Sequence, residues 1–429
     1  MTTRVLVVAG DPVGASMAGP AIRAVELARA VAGGGHHVTL AVPAGSDAPE
    51  GGPPTAPYHG DDELVALARD ADVIVAFAPL VARHPALART GAVLVVDAYD
   101  PGLLETLERR RGEPVNAQRD WVAAATSQMV EPLRHADAVL VASDRQRHFA
   151  IGILAALGRL GPRVLAEDPT LESMVRTVPF GTPARAPEPA TRPLTGPQGL
   201  APGAAVALWG GGLYDWLDPV TLVDAVALST HPSLVAVFLA GRHPTPAVGR
   251  AALVDVARDR AAELGVLGTR VIVHEQWVPY AERGDWLRDA RIGVSLHHPH
   301  LETELAFRTR ILDYLWAGLP VVCTGGDVLA ELVADRDLGE VVPPGDVRAV
   351  AAALDRVLSS PAAEARARSE RLALAARELT WERAAAPLLE LCDDPTSAPD
   401  RRVAEPPPGP VPRLLSGARR LAGAARQRW

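Results

Sequence analysis

Short runs of β-branched and aliphatic residues alternate with stretches whose apolar positions recur every three or four residues, and the alternation persists through most of the chain. Runs of the first kind predict strands at 5–9 (VLVVA), 38–42, 73–77, 93–96 and 138–142. After the first, Ile22, Val25, Leu27, Ala28 and Val31 make one apolar stripe, predicting a helix that opens at Pro20 and ends at a run of glycines. A long helix is predicted over 115–134. Strands alternating with helices imply βαβ crossovers and a parallel sheet. The pattern lapses at 181–204, where Pro and Gly crowd together without periodicity, and then restarts. The second half predicts strands at 205–209, 234–241, 271–273, 292–296, 321–324 and 340–342, with helices after Pro219, near 247–264 and near 309–317.

The expected fold class is α/β, with two doubly wound Rossmann-like domains facing a cleft. The first domain covers 1–190, a linker 191–204 and the second domain 205–375. A crossover helix over 376–396, centred on Trp381–Leu391, packs back on one of the two domains. A Pro-rich and then basic tail covers 397–429. Open sheets of this kind bind ligands at the carboxyl ends of their strands.

Composition narrows the chemistry. The chain has 429 residues, 48% apolar and 22% charged, ample for two cores. Its 43 basic and 51 acidic residues leave a net charge of −8, which argues against a nucleic-acid binder. Every basic residue is arginine, so lysine Schiff bases, lysine general bases and a Walker-type phosphate loop are excluded. Cys323 and Cys392 match no disulfide scaffold or metal-ligand spacing. No run reaches membrane-spanning length and no secretory leader is visible, so a cytoplasmic protein is expected. Residues 401–429 nevertheless carry seven arginines and one acid. Leu414, Ala418, Leu421, Ala425 and Trp429 fall at helical spacing there, which fits a helix lying on the inner face of an anionic membrane. A disordered, solubilising tail fits as well, given Gly417 and Gly423.

Four stretches carry candidate chemistry. In 295–327, Arg308, Thr309 and Arg310 stand at the start of a predicted helix, where free N–H groups and the dipole attract anions, and guanidinium forks there suit a diphosphate. Asp313, one turn into that helix, can accept from sugar hydroxyls. The alternative is a charged loop with internal Arg–Glu pairs. His297, His298 and His300 lack the spacing of a metal site, and no metal is expected. Gly211 and Gly212 lie at a strand-to-helix turn that lets backbone amides approach a phosphate. Gly14–Arg23 repeats that logic in the first domain without a dinucleotide fingerprint. Asp97 and Asp100 follow a strand end, where they face either the cleft or an ordinary turn before Pro101.

Together, MAGPAIRAVELARAVAGGGHHVTLAVP, VVDAYDP, SDRQRHF, VPFGTP, LWGGGLYDWLDP, EQWVPYAER and ETELAFRTRILDYLWAGLPVVCTGGD resemble the retaining nucleotide-sugar glycosyltransferases of family 4, in a bacterial branch. The resemblance spans roughly 17–350 and implies the GT-B fold. It implies a hexosyl transfer without a metal or other cofactor, from a nucleotide diphosphate sugar to an acceptor it does not identify. The family marker is a Glu, seven residues and a second Glu, in a helix ending Ala-x-Gly-x-Pro-Val. Asp313 takes the second position and is implied to hold the donor ribose. Leu305 occupies the first, so the sugar-contacting acid falls to Glu302 or Glu304, with Glu302 favoured. Family members bind the diphosphate with an Arg and a Lys in the glycine loop. Here LWGGGLYDWLD has neither, and Arg308, Arg310 and Arg242 are the substitutes. Trp277 and Val278 are implied to hold the base by backbone contacts, and Gly19 to lie near phosphates or acceptor. The expected catalytic set is Glu302, Glu304 and Arg308, with Gly19, Asp97 and Asp100 on the acceptor side. A sugar-nucleotide epimerase of the same fold and a non-catalytic nucleotide-binding protein remain as alternatives.

Overall fold

A computed structural model describes residues 2–188, 190–196, 199–243 and 251–402. The first sheet is built from β1 (Arg4–Val8), β2 (His37–Pro43), β3 (Thr55–Tyr58), β4 (Val73–Phe77), β5 (Val93–Asp97), β6 (Ala138–Val141) and β7 (Val175–Thr177). Its seven strands are ordered β3-β2-β1-β4-β5-β6-β7 and pair in parallel throughout. The second sheet contains β8 (Ala205–Trp209), β9 (Leu234–Leu239), β10 (Val271–His274), β11 (Ile292–Ser295), β12 (Val321–Thr324) and β13 (Gly339–Val342). These six are ordered β10-β9-β8-β11-β12-β13, again parallel.

The central strands are continuous apolar runs because helices cover both sheet faces. Val5 to Val8 and Val206 to Trp209 are all 2% exposed or less. The order reverses beside β1 and β8, so two switch points open toward each other at the carboxyl edges. The α/β fold with two Rossmann-like domains is thus the observed architecture. β3 and β7 are short edge strands of four and three residues, and their mixed sequences TAPY and VRT give no apolar run to read. The helix expected near 247–264 is described over Leu253–Glu263, and 244–250 lie outside the described residues.

The chain crosses between domains twice. The Pro-rich stretch after β7 is tied to the second domain where Asp285 accepts from Thr191 N (3.1 Å) and Asp289 from Leu194 N (2.7 Å). The long helix Ala362–Glu378 then leads back, and Thr182 bridges to the returning chain, donating its N–H to Leu379 O and accepting from Trp381 N. The predicted single helix over 381–391 is two, Trp381–Ala384 and Ala386–Asp393, because Pro387 enters the first turn of the second. That second helix packs on the first domain, against the helix Gly19–Gly33 and β7. Of the basic tail, Arg401 and Arg402 are described: they pair with Asp137 (2.7 Å) and Glu167 (2.5 Å) of the first domain. The amphipathic stretch from 403 onward, and with it the proposed membrane contact, lies outside the described residues. Among the described residues no helix is long and apolar enough to cross a membrane.

Aromatic residues are scarce, 4% of the chain, yet they concentrate where the domains meet. Tyr99 lies 5.2 Å from Phe77 and 4.9 Å from Phe180, and Phe180 contacts Trp381 (5.6 Å) and Phe307 (6.4 Å). Beneath them Arg23, 1% exposed, grips Asp97 with two hydrogen bonds (2.6 and 2.9 Å) and donates to the carbonyls of Val178 and Pro179.

Candidate functional site

The interdomain cleft has a volume of about 470 Å3 and collects residues from both carboxyl edges. On the second-domain side, β8 runs into Gly210–Gly212. Gly211 has φ +106°, a left-handed conformation that favours glycine. The Tyr314 hydroxyl donates to Val294 O (2.9 Å) and accepts from Gly210 N (2.8 Å), which locks this turn to the helix Thr309–Trp316. That helix has Arg308 as its N-cap with no side-chain cap, so its first N–H groups open into the cleft. Facing it, the helix Gly19–Gly33 also begins without a side-chain cap, at Gly19 on the cleft wall.

The two expected phosphate-binding arginines differ in environment. Arg308, 7% exposed, is already committed: its guanidinium makes two hydrogen bonds to Glu302 (2.9 and 2.5 Å), and Glu302 is 1% exposed. Its buried Nε alone remains without a partner. Arg310 has no carboxylate partner among the described residues. One terminal nitrogen donates to Gly212 O (2.8 Å), the other is buried and unpaired, and the guanidinium lies 5.1 Å from the Trp209 ring centroid. Burial pushes its pKa below the ordinary arginine value, and the neighbouring Arg308 charge adds to this. A desolvated cation reaching into the glycine turn occupies the region where the loop itself lacks basic residues.

Deeper along the same wall, Asp313 pairs with Arg283 (3.3 Å), whose guanidinium stacks over Tyr280 (3.6 Å) and Trp316 (4.5 Å). Burial raises the Asp313 pKa, opposed by Arg283. Trp277 and Val278 line this end. Their segment passes so close to Gly241 that a Cβ there would sit 2.7 Å from Gln276 O, so only glycine fits.

On the first-domain side, Asp100 and Glu105 both line the cleft as neighbouring carboxyls. Burial, with the nearby Glu302 and Asp97 charges, pushes Asp100 up to about 6, and Glu105 and Arg109 oppose the rise. Burial and the charges of Asp100 and Glu302 hold Glu105 well above the usual carboxylate range.

Three expected site residues stand elsewhere. Asp97 offers the cleft no free carboxylate: both oxygens are spent on Arg23, because the strand end points it under the floor. Glu304 is exposed and does not line the cleft, since two residues after Glu302, roughly half a helical turn, point it outward. Arg242 is also exposed and outside the lining. By contrast Gly19, Asp100, Gly211, Gly212, Trp277, Val278, Glu302, Arg308, Thr309, Arg310 and Asp313 come together around one space. Each histidine of the HHPH run turns to a different acid: His297 to Asp327 (3.6 Å), His298 to Asp218 (3.8 Å) and His300 to Glu302 (3.5 Å). Sequence reasoning missed Arg283, Tyr314 and Glu105. Glu105 follows Asp100 by five residues across the Pro101 helix start, a spacing that could have flagged it.

Residues 206–360 match the protein family described as Glycosyl transferases group 1. No curated protein matches the chain. Among solved structures, sucrose-phosphate synthase from Thermosynechococcus elongatus superposes with a TM-score of 0.64 at 18% identity, covering 91% of this chain and 98% of that one. Anabaena Alr3699/HepE, crystallised with UDP and glucose, gives 0.64 at 16% identity over 91% and 99% of the two chains. A UDP-forming trehalose-phosphate synthase from Burkholderia xenovorans gives 0.61 at 15% identity over 92% and 99%. At these identities the likeness establishes a shared GT-B fold.

Proposed function

We propose that the chain is a retaining glycosyltransferase of family 4, carrying a hexose from a nucleotide diphosphate to an acceptor hydroxyl. The observation that carries this reading is Arg310: a half-buried guanidinium with one terminal nitrogen buried and unpaired and, among the described residues, no carboxylate partner, between an uncapped helix N-terminus and a glycine turn. A cation of this kind is stabilised by an anion, and the surrounding N–H groups suit the oxygens of a diphosphate. The glycosyl transferases group 1 match over 206–360 and the UDP bound by a protein of the same fold support a nucleotide-sugar donor.

In this reading Arg310 and the Arg308 Nε meet the β-phosphate, Asp313 accepts from the ribose, and the 277–278 backbone holds the base. Glu302, held in place by Arg308, accepts from hydroxyls of the donor sugar. The bond between the anomeric carbon and the β-phosphate oxygen breaks, and the electron pair leaves on that oxygen, where the cationic wall stabilises it. The acceptor oxygen bonds to the same face of the anomeric carbon, and its proton passes to the departing phosphate. Domain closure keeps water from taking the acceptor's place. The arginines supply the positive charge, so the reading includes metal independence; a cytoplasmic location, where nucleotide sugars are made, is part of the same proposal.

Calorimetry with UDP on wild type and Arg310→Ala tests the donor site. The variant is expected to bind at least tenfold more weakly, since a hydrogen bond to a charged group contributes about 1.5–3 kcal/mol. Equal affinity overturns the assignment. With a turned-over donor, EDTA is expected to leave the rate unchanged.

A further inference from the structure

Beside the cleft, in the first domain, lies a second cavity of about 80 Å3. Phe77, Leu103, Met129, Phe149 and Ile153 form its apolar walls, from the end of β4 and from helices Gly102–Arg109, Val115–His135 and Asp144–Ala156. Among the described residues that line it there is no arginine or histidine, and Asp100 is the one ionisable residue. Asp100 and Pro101 also line the cleft, so the two spaces meet at that carboxyl, one of whose oxygens is buried without a partner. The roof comes from the second domain: Leu305, at the position where the family marker has Glu, lines the cavity. Gln146 fastens this roof by donating to both Leu305 O and Tyr99 O (2.7 Å each).

We infer that this cavity is the acceptor subsite and that it takes an aryl or short alkyl substituent of the acceptor, which presents its hydroxyl past Asp100 to the donor. The inference rests on the transfer reading above for the word acceptor, and on the cavity alone for the chemistry. An apolar pocket gains by removing an apolar group from water, whereas a phosphate placed here would lie desolvated with no cation to meet it. The lack of a cation among the described lining residues sets this subsite apart from one that takes a sugar phosphate. The occupant is therefore a small molecule with an apolar end and a hydroxyl end.

The test is calorimetry of the full chain with 4-nitrophenyl glucoside, methyl glucoside and glucose 6-phosphate, with UDP titrated separately. The aryl glucoside is expected to bind at least fivefold more tightly than the methyl glucoside, and glucose 6-phosphate no better than the methyl glucoside. Ala125→Phe, on a half-buried position of the helix Val115–His135, fills the cavity and is expected to abolish the aryl preference while UDP affinity stays at the wild-type value. Leu305→Glu is expected to do the same by charging the roof. Equal binding of aryl and methyl glucosides, or an aryl preference that survives both substitutions, overturns the inference. Loss of UDP binding in wild type sinks the donor reading instead and leaves the aryl comparison to decide the cavity.

Discussion

At the residue scale, similar side chains divide their labour by what surrounds them. Arg308 and Arg310 are two positions apart, yet one is neutralised by Glu302 and the other faces the cleft without a counter-charge. Arg308→Ala is therefore expected to act through Glu302, stranding a buried carboxylate and lowering stability by about 3–5 kcal/mol. Arg310→Ala is expected to change nucleotide affinity and barely change the melting temperature. Differential scanning calorimetry beside UDP titration separates the two. The Asp100–Glu105 pair makes a signed prediction with pH. In the unfolded chain an aspartate loses its proton near pH 4, roughly, whereas in the fold Asp100 holds it to about 6. Between those values the folded state carries more protons, so this group's contribution falls as pH rises and stays low above the folded value. Asp100→Asn is expected to match wild type in urea unfolding near pH 4 and to be the more stable protein above about pH 6. A wild-type advantage at neutral pH would reject the buried-pair description.

At the element scale, one tyrosine couples the two pieces of the phosphate wall. Tyr314 sits one turn after Arg310 in the same helix and bonds both the glycine turn and β11. Tyr314→Phe leaves a buried N–H and a buried carbonyl unpaired, and is expected to cost about 1–3 kcal/mol of stability. It is also expected to weaken UDP binding, because the turn that Arg310 reaches is no longer held. Wild-type affinity in a destabilised variant would show that the turn is placed by its own backbone. The sequence pattern located this helix and turn well, since both rest on local signals, an apolar stripe and a glycine run. Their connection through Tyr314 was not legible, because a tyrosine in an amphipathic helix reads as core until its hydroxyl partners are known.

At the scale of the whole molecule, the two walls of the cleft are joined by contacts from the start of the helix Asp144–Ala156. Arg145 donates to Gly326 O (2.6 Å) and Glu304 O (3.2 Å) and pairs with Glu331, all in the second domain. Arg145→Ala is expected to enlarge the radius of gyration in small-angle scattering without nucleotide, and to leave the melting temperature within a few degrees because the contact is partly exposed. An unchanged radius would show that the aromatic cluster around Phe180 and the Gln146–Leu305 contact hold the domains together without Arg145. Glu304, expected in the sugar site, contributes to this contact through its carbonyl.

Periodicity along the chain determined the two parallel α/β sheets, the cleft that their carboxyl edges imply and the segments that border it, since each depends on residues close in sequence. The tertiary structure alone decided which polar residues face that cleft. Asp97 and Asp100 are three residues apart, and only packing directs one to Arg23 beneath the floor and leaves the other beside Glu105. The same holds for Glu302 and Glu304, and for Leu305, a misfit in the motif that becomes the roof of an apolar cavity. The reason is physical: burial and charge pairing depend on neighbours dozens or hundreds of residues away, and no local pattern records them.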